Sequence, residues 1–412
     1  MGKIILEIAS TINKTMNILF ASIGHISKQR GGVDRVTDII SKELIKLGNN
    51  VHMISLCLAL GEDQSYSYQY VLPSQELSDK NNEDFIKSFI KEHKIDIIIN
   101  QSDSIGMVQL LKNSHCKVPI ISFLHNDPLA IYKSLRDNWD MWKEKDGNIT
   151  FFLKYPYYLA RHFYQRYTRG KFVKEKLRHL YNKSDAVVLL SERFKKSYVK
   201  VAGLKEESKL FSIHNPFSFY VNENCEEINK KKSVIFIGRL EFHQKRPDRL
   251  LKIWKILGKK TEGWQLTLVG DGPYREQLES YCKKHNLSNI HFTGNTDPQI
   301  YYREAEILCM TSTYEGLPMV LIEALQYLVI PIVYDSCESI KDLIDKDKEC
   351  KMIKPFSIEE YARSLHILMT NDNIRSEFRK NIAKKHFEKL LSAEKIVVEW
   401  NDLFNKLIKN KS

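Results

Sequence analysis

Two α/β domains of the doubly wound kind, set one after the other, are what this sequence predicts, and three observations carry the prediction. Short apolar runs of five or six residues alternate with helical patterns, as parallel strands buried on both faces require. The alternation stops in a polar stretch at 218–232 and starts again at Ser233. The 412 residues suffice for two domains, each with a core of its own.

The first strand is Asn17–Ala21. A loop through Gly24 and Gly31-Gly32 leads to a helix with Val33, Val36, Ile40, Leu44 and Leu47 on one side and Gly48 as its stop. Further strands are expected at 51–56, 95–99, 119–124, 185–190 and 210–214. The second series has strands at 233–237, 265–269, 290–292, 307–310 and 329–334, then helices near 357–371, 373–387 and 392–409. The implied layout is a first domain at 16–216, a linker at 217–232, a second domain at 233–390 and a closing helix at 391–412. Residues 1–15 read as an N-terminal extension, because Glu7 interrupts their apolar run and no small-residue cleavage site follows.

A hydrophobic share of 43% with 28% charged residues fits a globular protein, and no apolar run approaches the ~20 residues of a membrane span. Seven cysteines (57, 116, 225, 282, 309, 337 and 350) contain no C-x-x-C pair, which points to a reduced, cytoplasmic protein. The net charge is +12, of which +9 falls in residues 1–216, so an anionic partner is expected. Nucleic acid is ranked last for want of a recognition motif. The basic, aromatic segment 151–183 leaves two readings open. Leu159, Phe163 and Tyr167 share one helical face, as do Leu177, Leu180 and Tyr181. Either these faces pack onto the domain, or the segment lies on an anionic membrane surface or a lipid-linked acceptor.

The chemistry concentrates near strand ends in the second domain. Gly238-Arg239 closes a strand and Lys245 follows six residues later; a planar fork and a point charge together suit a diphosphate. Glu315 and Glu323 flank a turn at Gly316 and a helix start with Pro318 in its first turn. A fully helical path would separate the two carboxylates by roughly 12 Å. That exceeds the ~5 Å of a retaining glycosidase pair, so they are read as gripping two ends of one ligand. Gly31-Gly32 before a helix could bring backbone N–H groups to a phosphate, and His125 ends a strand at the ligand-binding edge, as His25 does less persuasively. Gly270-Asp-Gly-Pro273 lacks the third glycine of a dinucleotide fingerprint, since Arg275 stands there, and reads as a tight turn. Asp345-Lys-Asp347 lies in a charged run that reads as a solvated loop, so no metal site is assigned.

Taken together, Gly238-Arg239, Lys245, Gly270-Asp-Gly-Pro273, Phe292-Thr-Gly294 and Glu315-Gly-Leu-Pro-Met-Val-Leu-Ile-Glu323 resemble glycosyltransferase family 4. The resemblance is strongest over 233–345 and extends to Gly31-Gly32, His125 and Ser191. It implies a GT-B fold, with two Rossmann-like domains facing a central cleft, and a retaining hexosyltransferase that uses a nucleoside-diphosphate sugar, UDP-sugar favoured, without metal or other cofactor. It places Arg239 and Lys245 on the diphosphate, Glu315 on the transferred sugar, Glu323 on the ribose and His125 beside the sugar. Gly31, Gly32, Gly238, Gly294, Asn295, Gly316, Leu317, Met319 and Val320 complete the donor-binding set. Pro318 replaces a glycine common in the family and removes one N–H. The acceptor implied is a growing, lipid-linked surface glycan, with the enzyme peripheral on the inner face of the membrane. An epimerase, a transferase with a soluble product, and a sugar-nucleotide-binding subunit without turnover are the alternatives.

Overall fold

The structure is a computed structural model, and it describes residues 15–26, 31–57, 69–114, 117–219, 230–385 and 387–410. The N-terminal extension apart from Thr15, most of the linker, Cys116 and Cys225 lie outside the described residues. Thirteen described strands form two sheets, both wholly parallel. In chain order the first sheet has β1 (Asn17–Gly24), β2 (Asn50–Cys57), β3 (Gln69–Val71), β4 (Ile97–Asn100), β5 (Ile120–Leu124), β6 (Ala186–Leu189) and β7 (Leu210–Ser212). The second has β8 (Lys231–Ile237), β9 (Gln265–Val269), β10 (Ile290–Gly294), β11 (Ala305–Met310), β12 (Ile330–Tyr334) and β13 (Lys351–Ile353).

The first sheet is ordered β3-β2-β1-β4-β5-β6-β7, the second β10-β9-β8-β11-β12-β13. Both reverse direction once, at β1/β4 and at β8/β11, where a doubly wound sheet opens its crevice. Central strands such as Ile97–Asn100 and Ala305–Met310 are buried along their whole length, which explains the apolar runs at 97–99 and 307–310. The sequence misses β3 and β13, edge strands of three residues each, too short to show a period; β13 starts at the end of the run read as a solvated loop.

The first half carries helices α1 (Gly32–Lys46), α2 (Lys80–Glu92), α3 (Ile105–Asn113), α4 (Ala130–Ser134), α5 (Asp137–Leu153), α6 (Tyr155–Lys183) and α7 (Arg193–Ala202). The second carries α8 (Pro247–Leu257), α9 (Arg275–Lys284), α10 (Gln299–Glu304), α11 (Met319–Gln326), α12 (Ile358–Thr370), α13 (Asp372–Lys384), α14 (Phe387–Leu390) and α15 (Ala393–Lys409).

The chain forms two compact units whose limits differ from the expected domains. One comprises the chain up to Leu129, Arg169–Ser218 and the chain from Leu391 on; its helix α15 packs on α1. The other joins Ala130–Thr168 to Phe219–Leu390. Residues 130–168 therefore belong with the second sheet although they interrupt the sequence of the first. The reason is a buried set of ion pairs between Asp137 and the start of α8, described below. The expected linker is also shorter. Phe219 packs against Tyr302 and Tyr327, Lys230 Nζ donates to the carbonyls of both, and β8 begins at Lys231.

Segment 151–183 corrects one of the two packed faces. In α6, Leu177, Leu180 and Tyr181 are buried, but Leu159, Phe163 and Tyr167 are exposed. The side of the helix that packs there is the opposite one. Tyr158 stacks on Trp142 at 4.6 Å, His162 lies against Trp139, and Gln165 Oε1 accepts from Asn138 Nδ2. Helix α5 is broken at Gly147 (φ 71°, ψ 168°), a conformation open to glycine. Past the break, Ile149, Phe152 and Leu153 are exposed too.

Candidate active site

In the second unit the two strands at the switch point each run into a loop that carries site residues. Strand β8 ends at Ile237 and leads to Gly238, Arg239 and Lys245; β11 ends at Met310 and leads to Thr311 and Glu315. The two loops are stitched together. Thr313 N–H donates to Gln244 O (2.8 Å), and Thr311 Oγ1 lies 3.2 Å from Lys245 O and 2.9 Å from Arg246 O.

Lys245 and Glu315 meet there. Lys245 Nζ donates to Glu315 Oε1 at 2.7 Å, and Gln244 Nε2 donates to Glu315 Oε2 at 3.2 Å. The side chains are 18% and 6% exposed, so the pair is largely withdrawn from water and its charge–charge attraction is little screened. Gly238 lies beneath the lysine stem; a Cβ at that glycine would stand 3.6 Å from Lys245 Cδ and Cε. Burial, with Glu241 and Glu315 near, pushes the Tyr314 phenol up to about 12 and keeps it neutral.

Glu323 lies on α11, 1% exposed, and Tyr302 Oη donates to its Oε2 at 2.8 Å. Tyr302 itself stacks on Tyr327. Helix α11 starts at Met319, so Pro318 is its N-cap and not part of the first turn; the Pro318 carbonyl accepts from the N–H groups of Leu321 and Ile322. The N–H groups of Met319 and Val320, at the first two helical positions, are beyond the reach of that ladder and suit an anion. Gly316 and Leu317 are buried, and the Gly316 carbonyl accepts from Ser339 Oγ. Arg239 is apart from this group. Its side chain is 64% exposed, and its ion pair, with Glu241, is 3.6 Å long.

The Gly270-Asp-Gly272 turn has a steric cause. A Cβ at Gly270 would stand 2.2 Å from Gly238 O, and one at Gly272 would stand 2.4 Å from Leu240 O. Both glycines let β9 run on close beside the loop that holds Arg239. Gly294 (φ 72°) completes the patch, its carbonyl accepting from Gly270 N–H, and Asn295 beyond it is exposed.

In the first unit, His125 follows β5 and its Nε2 donates to Gln101 Oε1, from the residue after β4. Burial drives the His125 imidazole down to about 3 against the opposing Asp103 carboxylate, so the ring is neutral and leaves Nδ1 as an acceptor. Gly31 and Gly32 open α1, whose start carries no side-chain cap. Ser191 is buried after β6, and its Oγ accepts from Arg193 N–H.

Sequence reasoning missed Gln101, Gln244, Arg246, Arg249, Tyr302 and Asp137. Gln101 could have been found by position, since it follows a strand beside the switch point. The others meet their partners only through the fold. A cavity of about 310 Å³ in the second unit is lined by Arg136, Trp139, Arg246, Arg249, Lys252 and Phe356, and neither Lys245 nor Glu315 lines it. Arg136 and Arg249 lie over the Phe356 ring, and Arg246 is already paired with carboxylates.

Comparison with known proteins gives the same picture. The family model for glycosyltransferase family 4 matches residues 30–218, and the model for glycosyl transferases group 1 matches residues 222–385. The amylovoran biosynthesis glycosyltransferase AmsD of Erwinia amylovora is 31% identical over 235 residues, 55% of this chain and 63% of that one. An α-1,4-N-acetyl-D-galactosaminyltransferase of Campylobacter jejuni, named for an undecaprenol-diphosphate-linked glycan, is 28% identical over 236 residues, 57% of this chain and 64% of that one. Each match thus spans less than two thirds of the relative. Among solved structures, a mutant of TarM from S. aureus with fondaparinux, α-GlcNAc-glycerol and UDP superposes with a TM-score of 0.71 over 95% of this chain and 100% of that one, at 14% identity, a likeness of fold. With its paired parallel sheets this is a GT-B fold of two Rossmann-like domains, and the chain belongs to the glycosyltransferases of family 4.

Proposed function

We propose that the protein transfers a hexosyl group from a UDP-sugar to a growing, lipid-linked surface glycan, with retention of configuration and without a metal ion. The buried Lys245–Glu315 pair at the β8/β11 switch point carries this reading. The UDP in the TarM structure and the undecaprenol-linked substrate in the name of the Campylobacter relative support the two substrate classes.

Breaking the bond from sugar C1 to the diphosphate leaves added negative charge on the leaving group. Lys245, the exposed Arg239 and the N–H groups of Met319 and Val320 are suited to stabilise that charge more than the ground state. Glu315 accepts hydroxyls of the transferred sugar, and Glu323 the ribose hydroxyls. The acceptor oxygen bonds to C1 on the face the diphosphate leaves, and its proton passes to the departing phosphate oxygen. Neutral His125 is the group assigned beside the sugar.

The membrane part of the reading rests on exposed side chains. Of seventeen exposed large apolar side chains among the described residues, ten lie between Ile149 and Phe172, interleaved with exposed Lys154, Arg161, Arg166 and Lys171. Aromatic rings with basic neighbours suit the headgroup layer of an anionic membrane, with the protein peripheral on its inner face. No helix among the described residues is long and apolar enough to cross a membrane.

The test is nucleotide release from UDP-, GDP- and ADP-sugars in EDTA, with and without undecaprenol-linked acceptors in anionic vesicles, followed by assignment of the product anomer. UDP release unaffected by EDTA and a retained anomer are expected. An inverted anomer removes the retention claim, loss of turnover in EDTA removes the metal claim, and no release from any donor favours a binding subunit.

A further inference from the structure

Arg246, next to Lys245, has a left-handed backbone (φ 50°, ψ 51°), a conformation unfavourable for a residue with a side chain and one that has to be held by its surroundings. What holds it is a set of carboxylates. Its guanidinium, almost wholly buried, donates to Asp248 (2.9 and 3.0 Å), to Asp137 Oδ1 (2.5 Å) and to Asp140 Oδ2 (2.9 Å).

Asp137 is the hub of this set. It is fully buried at the start of α5, more than a hundred residues before the loops it touches. Its Oδ1 also accepts from Arg249 Nη2 (2.6 Å), and its Oδ2 accepts from Thr313 Oγ1 (2.7 Å). Arg246 is covalently next to Lys245, and Thr313 is two residues from Glu315. One carboxylate thus fixes both loops whose ends form the Lys245–Glu315 pair. The same loops are also joined by the Thr313 N–H and Thr311 hydroxyl contacts and by Gln244 Nε2, which donates to Tyr314 O and Glu315 Oε2, while Arg249 Nη1 donates to Thr311 O and Thr313 Oγ1.

We propose that Asp137 is a positioning residue for glycosyl transfer, which sets the placement of Lys245 and Glu315 through Arg246, Arg249 and Thr313. It touches neither donor nor acceptor. Its role is geometric, and a misplacement of about 1 Å in such a pair is enough to cost ~100-fold in rate. The proposal rests on the reading that Lys245 and Glu315 hold the donor.

The experiment compares Asp137→Asn, Thr313→Val, Thr313→Ser and Lys245→Ala in the full chain, with kcat and KM for the sugar nucleotide measured beside thermal unfolding. Asp137→Asn keeps the shape but not the charge; Thr313→Val, in case the first variant folds poorly, leaves the carboxylate and removes the hydroxyl that donates to Asp137 Oδ2 and accepts from Arg249 Nη1. Expected are a kcat lowered at least tenfold in both, a donor KM within about threefold of wild type, and recovery of activity in Thr313→Ser. A structural role alone would lower the amount of folded enzyme without changing kcat per folded molecule. Wild-type kcat in Thr313→Val and in folded Asp137→Asn, with Lys245→Ala inactive, overturns the proposal and leaves the donor site standing. Wild-type turnover in Lys245→Ala, or no turnover by wild type with any donor, overturns both.

Discussion

The two halves of α6 both carry apolar residues at helical spacing, and their surroundings are opposite. From Tyr155 to Thr168 the apolar residues Leu159, Phe163 and Tyr167 recur every four positions, and they face outward. From Arg169 to Lys183 Val173, Leu177, Leu180 and Tyr181 are buried, with the Leu177 carbonyl accepting from Tyr198 Oη and the Ala202 carbonyl accepting from Arg178 Nε. Periodicity reports that a helix has an apolar side. It does not report whether another element covers that side, and here coverage separates a core from a candidate docking surface.

Substitutions should separate the halves most sharply by stability. Leu180→Ala leaves a cavity in a closed core and is expected to cost about 2–5 kcal/mol in urea unfolding. A loss below ~1 kcal/mol would mean that the second half is as uncovered as the first. The double change Phe163→Ala with Tyr167→Ala should leave unfolding within about 1 kcal/mol of wild type, because surface positions contribute little. Co-sedimentation with anionic vesicles should fall at least about tenfold, since inserting such a ring is worth ~1.5–3 kcal/mol. Unchanged sedimentation would remove the membrane reading of the first half.

Charge gives a smaller contrast. Raising salt from 0.05 to about 0.5 M should weaken vesicle binding of the wild type several-fold, because Arg161 and Arg166 in the first half are exposed and screened. Lys176 in the second half is already paired with Asp103 at 2.6 Å, so Lys176→Gln should change binding little. The smallest effect concerns the histidines, one in each half. Burial lowers His162, helped by Arg166, and lowers His179, helped by Lys183. Both folded-state values lie below the unfolded one. The folded state therefore binds fewer protons just below pH 6.5, and stability declines as pH falls through that window. From pH 8 to 7 vesicle binding should be flat. A rise over that interval would show a protonated His162.

The same limit explains how much of the molecule could be read from the sequence. The central strands were legible because burial on both faces writes them as unbroken apolar runs. Lys245, Glu315 and Glu323 were legible because they follow strand ends at fixed spacing, and the structure brings the first two together. Arg239 was placed with them by the same logic, yet its side chain points into solvent. Asp137 left no signal. It is one acid in a mixed-charge stretch, and only the folded chain reveals the two arginines and the threonine that its carboxylate joins.

That carboxylate also imposes an order on synthesis. Arg246 lies 109 residues after Asp137, so at the usual pace of a ribosome the acid waits roughly 5–20 s for its partner. A nascent chain arrested before Arg246 should be cut by protease within 130–168, and one arrested well beyond the second sheet should not. A fragment begun at residue 219 would carry Arg246 and Arg249 as buried cations without Asp137. The second unit, written later, has to borrow a piece from the sequence of the first to close.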